Sequence, residues 1–249
     1  MPNAEPHRLP ATTLVRLIES GELTAEAVVQ SCLERITQRE PVVRAWSHLA
    51  AEAALARARE LDQRRQKTLL NGVPFGIKDI FDSADMPTTY GSPIYVGWRP
   101  ANDASAAALP RAAGGILLGK TVTTEFANRQ PGPTTNPHNP DFSPGGSSSG
   151  SAAAVADFMV PLAIGTQTGG SVIPAGRLLR RRRVQAELWL VPACWHADQY
   201  RGPRHGRHHG ALGRRHCAVS RSDDGHPLRT AGDAGKRAAA WSVSRAPLG

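Results

Sequence analysis

Cysteine is scarce in this chain: Cys32, Cys194 and Cys217 are the only three. Three cysteines build no disulfide framework, and no CxxC pair offers a redox dithiol or a zinc knuckle. That usage fits a reducing compartment. Aromatic side chains make up only 5%, yet 40% apolar content in 249 residues is enough for a sizeable core. Long hydrophobic runs are missing as well. The longest, Ser151 to Thr166, is shorter than the roughly 18 residues a membrane span needs, and it carries Asp157. The N-terminal MPNAEPHRLPATTL has no apolar signal core. A cytoplasmic protein without a membrane partner is expected.

Acidic residues are what the end of the chain lacks. Residues 174–249 hold 15 Lys/Arg against 5 Asp/Glu, a net of +10, and residues 1–173 carry −1. The overall charge of +9 therefore belongs to the tail. It is no sign that the whole molecule seeks an acidic partner.

Thr12 to Ser20 has Leu14, Leu17 and Ile18 on one face and Gly21 as a stop, which predicts a short helix. Thr24 is a good N-cap for a second helix through Ile36, and Ala50 to Arg64 reads as a third. From Gly72 the texture changes to short apolar pieces broken by Gly and Pro. GVPFGI, SPIYVGW and GGILLGKTVT are expected to be buried strands, with a helix at Ala104 to Ala112. The alternation of strands and helices predicts an α/β sheet.

Gly114 to Thr121, GGILLGKT, matches the phosphate-loop pattern GxxxxGKT letter for letter. That loop must follow an apolar strand and wrap its amides around a phosphate. Here Ile116, Leu117 and Leu118 occupy the loop positions, and LPRAA before them reads as a helix end. The segment is expected to be a buried strand, not a nucleotide site.

The chemistry concentrates between Pro144 and Ser171, PGGSSSGSAAAVADFMVPLAIGTQTGGS. Two Gly/Ser turns flank an apolar, helix-like segment, with Ser147 and Ser171 standing 24 residues apart. Upstream, Lys78 lies in the phrase GVPFGIKDIFD. A serine hydroxyl needs a base to become a nucleophile, and a lysine serves when apolar burial keeps it neutral. Two serines and such a lysine are the parts of a hydrolase that does without histidine. Ser148, Ser149 and Ser151 are read as loop or helix-capping hydroxyls.

Taken together, GVPFGIKD, TEFA, TNPHNP, PGGSSSGSAAAVA and GTQTGGS resemble the amidase signature hydrolases, over about Leu9 to Ile173. The resemblance implies a twisted mixed sheet covered by helices, of which residues 1–173 are the N-terminal portion. It also implies Ser171 as nucleophile, Ser147 as a bridging serine after a cis peptide bond, and Lys78 as the base. Backbone amides around Thr168, Gly169, Gly170 and Ser171 would form the oxyanion hole. The implied substrate is a small linear amide, hydrolysed to acid and ammonia or amine through an acyl-enzyme. No metal or organic cofactor is required. Gln167 is a further candidate to face substrate. The glutaminase (A) subunit of a tRNA-dependent amidotransferase shares the same triad and is the alternative.

After Ile173 the family pattern stops. PAGRLLRRRRVQAELWLVPACWHADQYRGPRHGRHHGALGRRH has no helical or strand period. Read one nucleotide out of frame, with suitable synonymous codons, Gly176 to Val191 spells AAYCGVVGFKPSYGL. Pro203 to Val219 likewise spells LDTVGTMARSVGDIAL. Both strings continue the family, so a frameshift near Ile173–Pro174 and a truncated domain are expected, with 174–249 disordered. Arg180 to Arg183 as a nucleic-acid patch, and His205, His208, His209, His216 and Cys217 as metal ligands, are rival readings that the frameshift makes unnecessary. On the expected truncation the chain turns over little substrate, and an inactive product with a basic, nucleic-acid-binding tail is the further alternative. The sequence sets no oligomeric state.

Overall fold

The computed structural model describes residues 5–64, 67–167, 171 and 187–192. Helix α1 spans Ala11–Ser20 and ends where Gly21 turns to φ 79°, donating its N–H to Ile18. Helix α2 runs Ala25–Val43 and starts on the expected cap, with the Thr24 hydroxyl accepting from Ala27 N at 3.1 Å. Asp62 adds a second cap from another helix, accepting from Ala25 N and Glu26 N at 2.8 and 3.0 Å. The helix outruns its expected end at Ile36 by two turns. Glu40 holds the exit, accepting from Ala45 N and Trp46 N at 3.0 and 2.8 Å. Burial raises the Glu40 pKa.

Strand β1, Trp46–Leu49, and helix α3, Ala51–Arg64, follow. Then come strand β2, Pro74–Lys78, helix α4, Ser105–Ala112, and strand β3, Ile116–Thr121. Helix α5, Ser149–Ala156, leads to strand β4, Leu162–Gln167, and strand β5, Glu187–Pro192. The sheet order is β1-β3-β2-β4-β5. Only β1 runs antiparallel; the β3–β2, β2–β4 and β4–β5 pairs are parallel. Every residue of β2 and β3 is buried, as in a parallel sheet covered on both faces. The architecture is the expected mixed sheet with helices.

Three expectations give way. Ser92 to Trp98 is not a strand but a 3-10 turn at Pro93–Tyr95. Pro93 offers no N–H to a ladder, Gly97 sits at φ 82°, and Ile94, Val96 and Trp98 are 76, 76 and 50% exposed. The apolar segment between the two Gly/Ser turns is not helix-like throughout. It breaks after Ala156, where Phe158 adopts φ 59°, and resumes as β4. Thirdly, Glu187–Pro192 forms a strand inside a stretch expected to have no structure, with Leu162 opposite Glu187 and Gln167 opposite Pro192. Leu188 to Val191 is a continuous apolar run, a sequence pattern common in parallel strands. The rest of the expected tail lies outside the described residues, as do Arg180 to Arg183, His205, His208, His209, His216 and Cys217. The buried Cys32 is the free thiol among the described residues, with its pKa raised by burial.

The phosphate-loop lookalike is a strand, as expected. Lys120 points inward, donating to Phe81 O and Thr88 Oγ1, both at 2.6 Å, and pairing with Asp79 Oδ1 at 3.0 Å. Burial lowers the Lys120 pKa, and Asp79 works against that fall.

Candidate functional site

Because β2, β3 and β4 run parallel, their C-terminal ends share one edge of the sheet, the edge at which open α/β sheets gather ligands. Lys78 ends β2, Thr121 ends β3, and Thr166 is next to last in β4. Lys78 is fully buried. Its Nζ donates to Ser147 Oγ and to Thr166 Oγ1, both at 2.7 Å. Burial depresses its pKa from 10.5 to about 7, so a substantial share of the amine is neutral near neutrality.

Ser147 arrives on the loop that opens α5, and the Gly146–Ser147 peptide bond is cis. Its carbonyl accepts from Thr124 N at 3.2 Å, which brings the TEFA segment alongside. Phe126 of that segment meets Tyr95 edge-on, with centroids 6.1 Å apart. The TNPHNP segment, together with Thr134 just before it, braces the end of α2 instead. Thr134 and Thr135 donate to the carbonyls of Arg44 and Val42, and Arg39 donates to Pro137 O.

Ser171 sits half-buried, and its carbonyl accepts from Ser148 N at 3.2 Å. One backbone bond therefore ties the second Gly/Ser turn to the residue after Ser147. Thr168, Gly169 and Gly170 lie outside the described residues, as does the side chain of Gln167.

The serines after Ser147 are deeply buried. Ser149 Oγ donates to Val122 O at 3.4 Å, and Ser151 Oγ donates to Ile164 O at 3.1 Å and lies 2.6 Å from Thr121 Oγ1. These hydroxyls staple α5 to β3 and β4. Gly150 makes the close approach possible. A Cβ there would stand 2.3 Å from Ala45 O and 2.4 Å from Val122 N. Sequence reasoning missed Thr166. The signal was present, since strand alternation from Leu162 through Ile164 puts Thr166 on one face, five residues before Ser171.

A buried amine beside a hydroxyl, at the carboxyl edge of a parallel sheet, is an arrangement suited to moving a proton. The amidase family model matches residues 27–176, and the chain belongs to that family. Its relatives include the A subunit of the glutamyl-tRNA(Gln) amidotransferase of Mycobacterium leprae, 46% identical over 176 residues and covering 66% of this chain and 35% of that protein. The corresponding protein of Chloroflexus aurantiacus is 44% identical over 178 residues, 68% of this chain and 37% of its own length. Among solved structures, the peptide amidase of Stenotrophomonas maltophilia superimposes with a TM-score of 0.63 at 35% identity, over 67% of this chain and 38% of that one. Fatty acid amide hydrolase gives 0.64 at 26% identity, over 70% and 33%. The chain thus spans about a third of the length of the relatives it matches.

Proposed function

We propose that these residues are the catalytic portion of an amide hydrolase acting through Ser171, Ser147 and Lys78. The observation that carries the reading is the buried 2.7 Å contact between Lys78 Nζ and Ser147 Oγ, on a loop bonded directly to Ser171. Ser171 Oγ attacks the amide carbonyl and gives its proton to Ser147, whose own proton passes to neutral Lys78. The proton returns through Ser147 to the leaving amine, and water then hydrolyses the acyl-enzyme. Amides of the turn from Thr168 to Ser171 stabilise the oxyanion, at roughly 3–4 kcal/mol per donor. The substrate is a linear carboxylic amide.

The identity of 46% to the A chain of an amidotransferase favours a second reading, glutamine hydrolysis feeding ammonia to a partner. In that case turnover depends on partner proteins and tRNA, and a stand-alone amidase needs neither.

The family pattern ends near residue 176, in support of a frameshift at Ile173–Pro174. Re-reading the coding DNA across these codons is the first test; a restored nucleotide extends the family pattern, and an unchanged sequence makes the frameshift a natural one that leaves a truncated chain with a basic tail. Ammonia release from simple amides and from glutamine is then assayed for the 249-residue chain and for the frame-restored gene product. The restored product turns over and its Ser171→Ala variant does not, whereas the chain as given shows negligible turnover. A restored product unaffected by Ser171→Ala refutes the assignment.

A further inference from the structure

Ser148 stands at the N-cap of α5, where a serine ordinarily spends its hydroxyl on the second or third amide of the helix, yet it makes no such bond. The hydroxyl turns to β4 instead. Ser148 Oγ donates to Thr166 O and accepts from Thr166 N, both at 3.2 Å. The β2–β4 ladder ends at Ile77 opposite Ile164, and the hydroxyl takes up both backbone groups of Thr166 beyond that end. A favourable cap has been given up, and what Ser148 holds is the residue whose side chain meets Lys78.

We propose that Ser148 and Thr166 form a positioning clamp that sets the orientation of the Lys78 amine towards Ser147. A neutral lysine has two N–H bonds and one lone pair. With one N–H fixed on Thr166 Oγ1 at 2.7 Å, rotation about the last bond of the side chain is stopped. Ser147 Oγ, the other group at 2.7 Å, then lies where the neutral amine presents either its second N–H or, for proton uptake from Ser147, its lone pair. Ser148 fixes Thr166, and its own N–H holds Ser171 O at 3.2 Å. One serine thereby connects all three members of the proton path without lying on it. Ser148 and Thr166 are 0 and 4% exposed, so water does not substitute for either hydroxyl.

The Thr166 oxygen also stabilises the ammonium more than the amine, because it accepts a bond from the charged donor. Other charged groups at the adjoining strand ends are Asp79 after β2 and Lys120 of β3, which pair with each other at 3.0 Å. From the loop into α5 and from β4, the groups that meet the Lys78 amine are the hydroxyls of Ser147 and Thr166.

The proposal rests on Lys78 as the base, and its test needs no turnover. The full chain is labelled with 13C at lysine Cε, and the Lys78 resonance, assigned by its loss in Lys78→Arg, is followed against pH. Thr166→Val, which keeps the shape and removes the hydroxyl, lowers the midpoint by about half a pH unit or more. Ser148→Ala lowers it by less, and Thr166→Ser keeps the wild-type value. A wild-type midpoint in the ordinary lysine range overturns the base assignment and the clamp with it. A depressed midpoint that ignores Thr166→Val, or responds equally to Thr166→Ser, overturns the clamp alone. Circular dichroism checks folding; if Thr166→Val does not fold, an unmoved midpoint in folded Ser148→Ala overturns the clamp.

Discussion

Lys78 Nζ and Ser147 Oγ meet at 2.7 Å although the two residues stand 69 positions apart in the chain. The sheet makes the meeting possible, since β2 delivers the amine and the loop into α5 delivers the hydroxyl to the same strand ends. Among the described residues Lys78 forms no ion pair, so the proposed proton exchange needs none to be broken first.

Removing the middle hydroxyl therefore interrupts the path while leaving both ends. Ser147→Ala in the frame-restored product is expected to cut kcat by about 10²–10⁴, the usual scale of general acid–base assistance. KM changes little, and steady-state ammonia release measures both.

The lysine sets the pH response. Turnover of the frame-restored product is expected to rise through about pH 7 as Lys78 loses its proton. Lys78→Arg, charged at every accessible pH, abolishes it. Stability moves in the same direction. Between about 7 and 10.5 the folded chain binds fewer protons at Lys78 than the unfolded chain, so unfolding takes up a proton and stability grows with pH. Each pH unit inside that window is worth up to about 1.4 kcal/mol. Urea midpoints at about pH 7 and at mildly alkaline pH should show this rise, and Lys78→Met should show a smaller one, because Lys120, also held below its ordinary pKa by burial, keeps its share.

Lys120 offers a contrasting case. Lys120→Met strands the Asp79 carboxylate in the interior and is expected to cost about 3–5 kcal/mol in chemical denaturation. Calorimetric titration with ATP should show no binding to the wild-type chain, because the GxxxxGKT segment is a strand.

Gly150→Ala places a methyl group against the backbone of Ala45 and Val122. Overpacking of this kind costs about 1–3 kcal/mol. Here it also lifts the serine loop from β3, so the fall in thermal stability should be accompanied by a displaced Lys78 resonance. An unaltered resonance would mean that α5 yields locally.

The helices were legible because their signals are local: the cap at Thr24, the stop at Gly21 and the periodic apolar faces. Strand β3 was legible against a competing motif because Ile116, Leu117 and Leu118 belong in a core. Lys78 was legible as a buried amine only in combination with the two Gly/Ser turns, because a lone lysine in such an apolar phrase is more often a surface residue. The extra turns of α2 were not, because a carboxylate that reaches back to two amides closes them. Strand β1 is four residues at a sheet edge between two helices, too short to display a period. Ser92 to Trp98 misled because alternating apolar residues mark a strand only where a partner and a cover exist. Ser148 looked like a cap because it occupies the cap position, and only the three-dimensional arrangement shows its hydroxyl spent on Thr166.

Asp157 closes α5, and its carboxylate is held by Arg35 at 2.8 Å and Arg39 at 2.7 Å, both from α2. The serine helix therefore keeps its counter-charges more than a hundred residues upstream. A fragment cut to begin after Arg39 would contain every residue proposed for chemistry and still bury a carboxylate with nothing to neutralise it. The smallest piece of this chain able to stand alone must start ahead of Arg35, and the family match, which opens at residue 27, does.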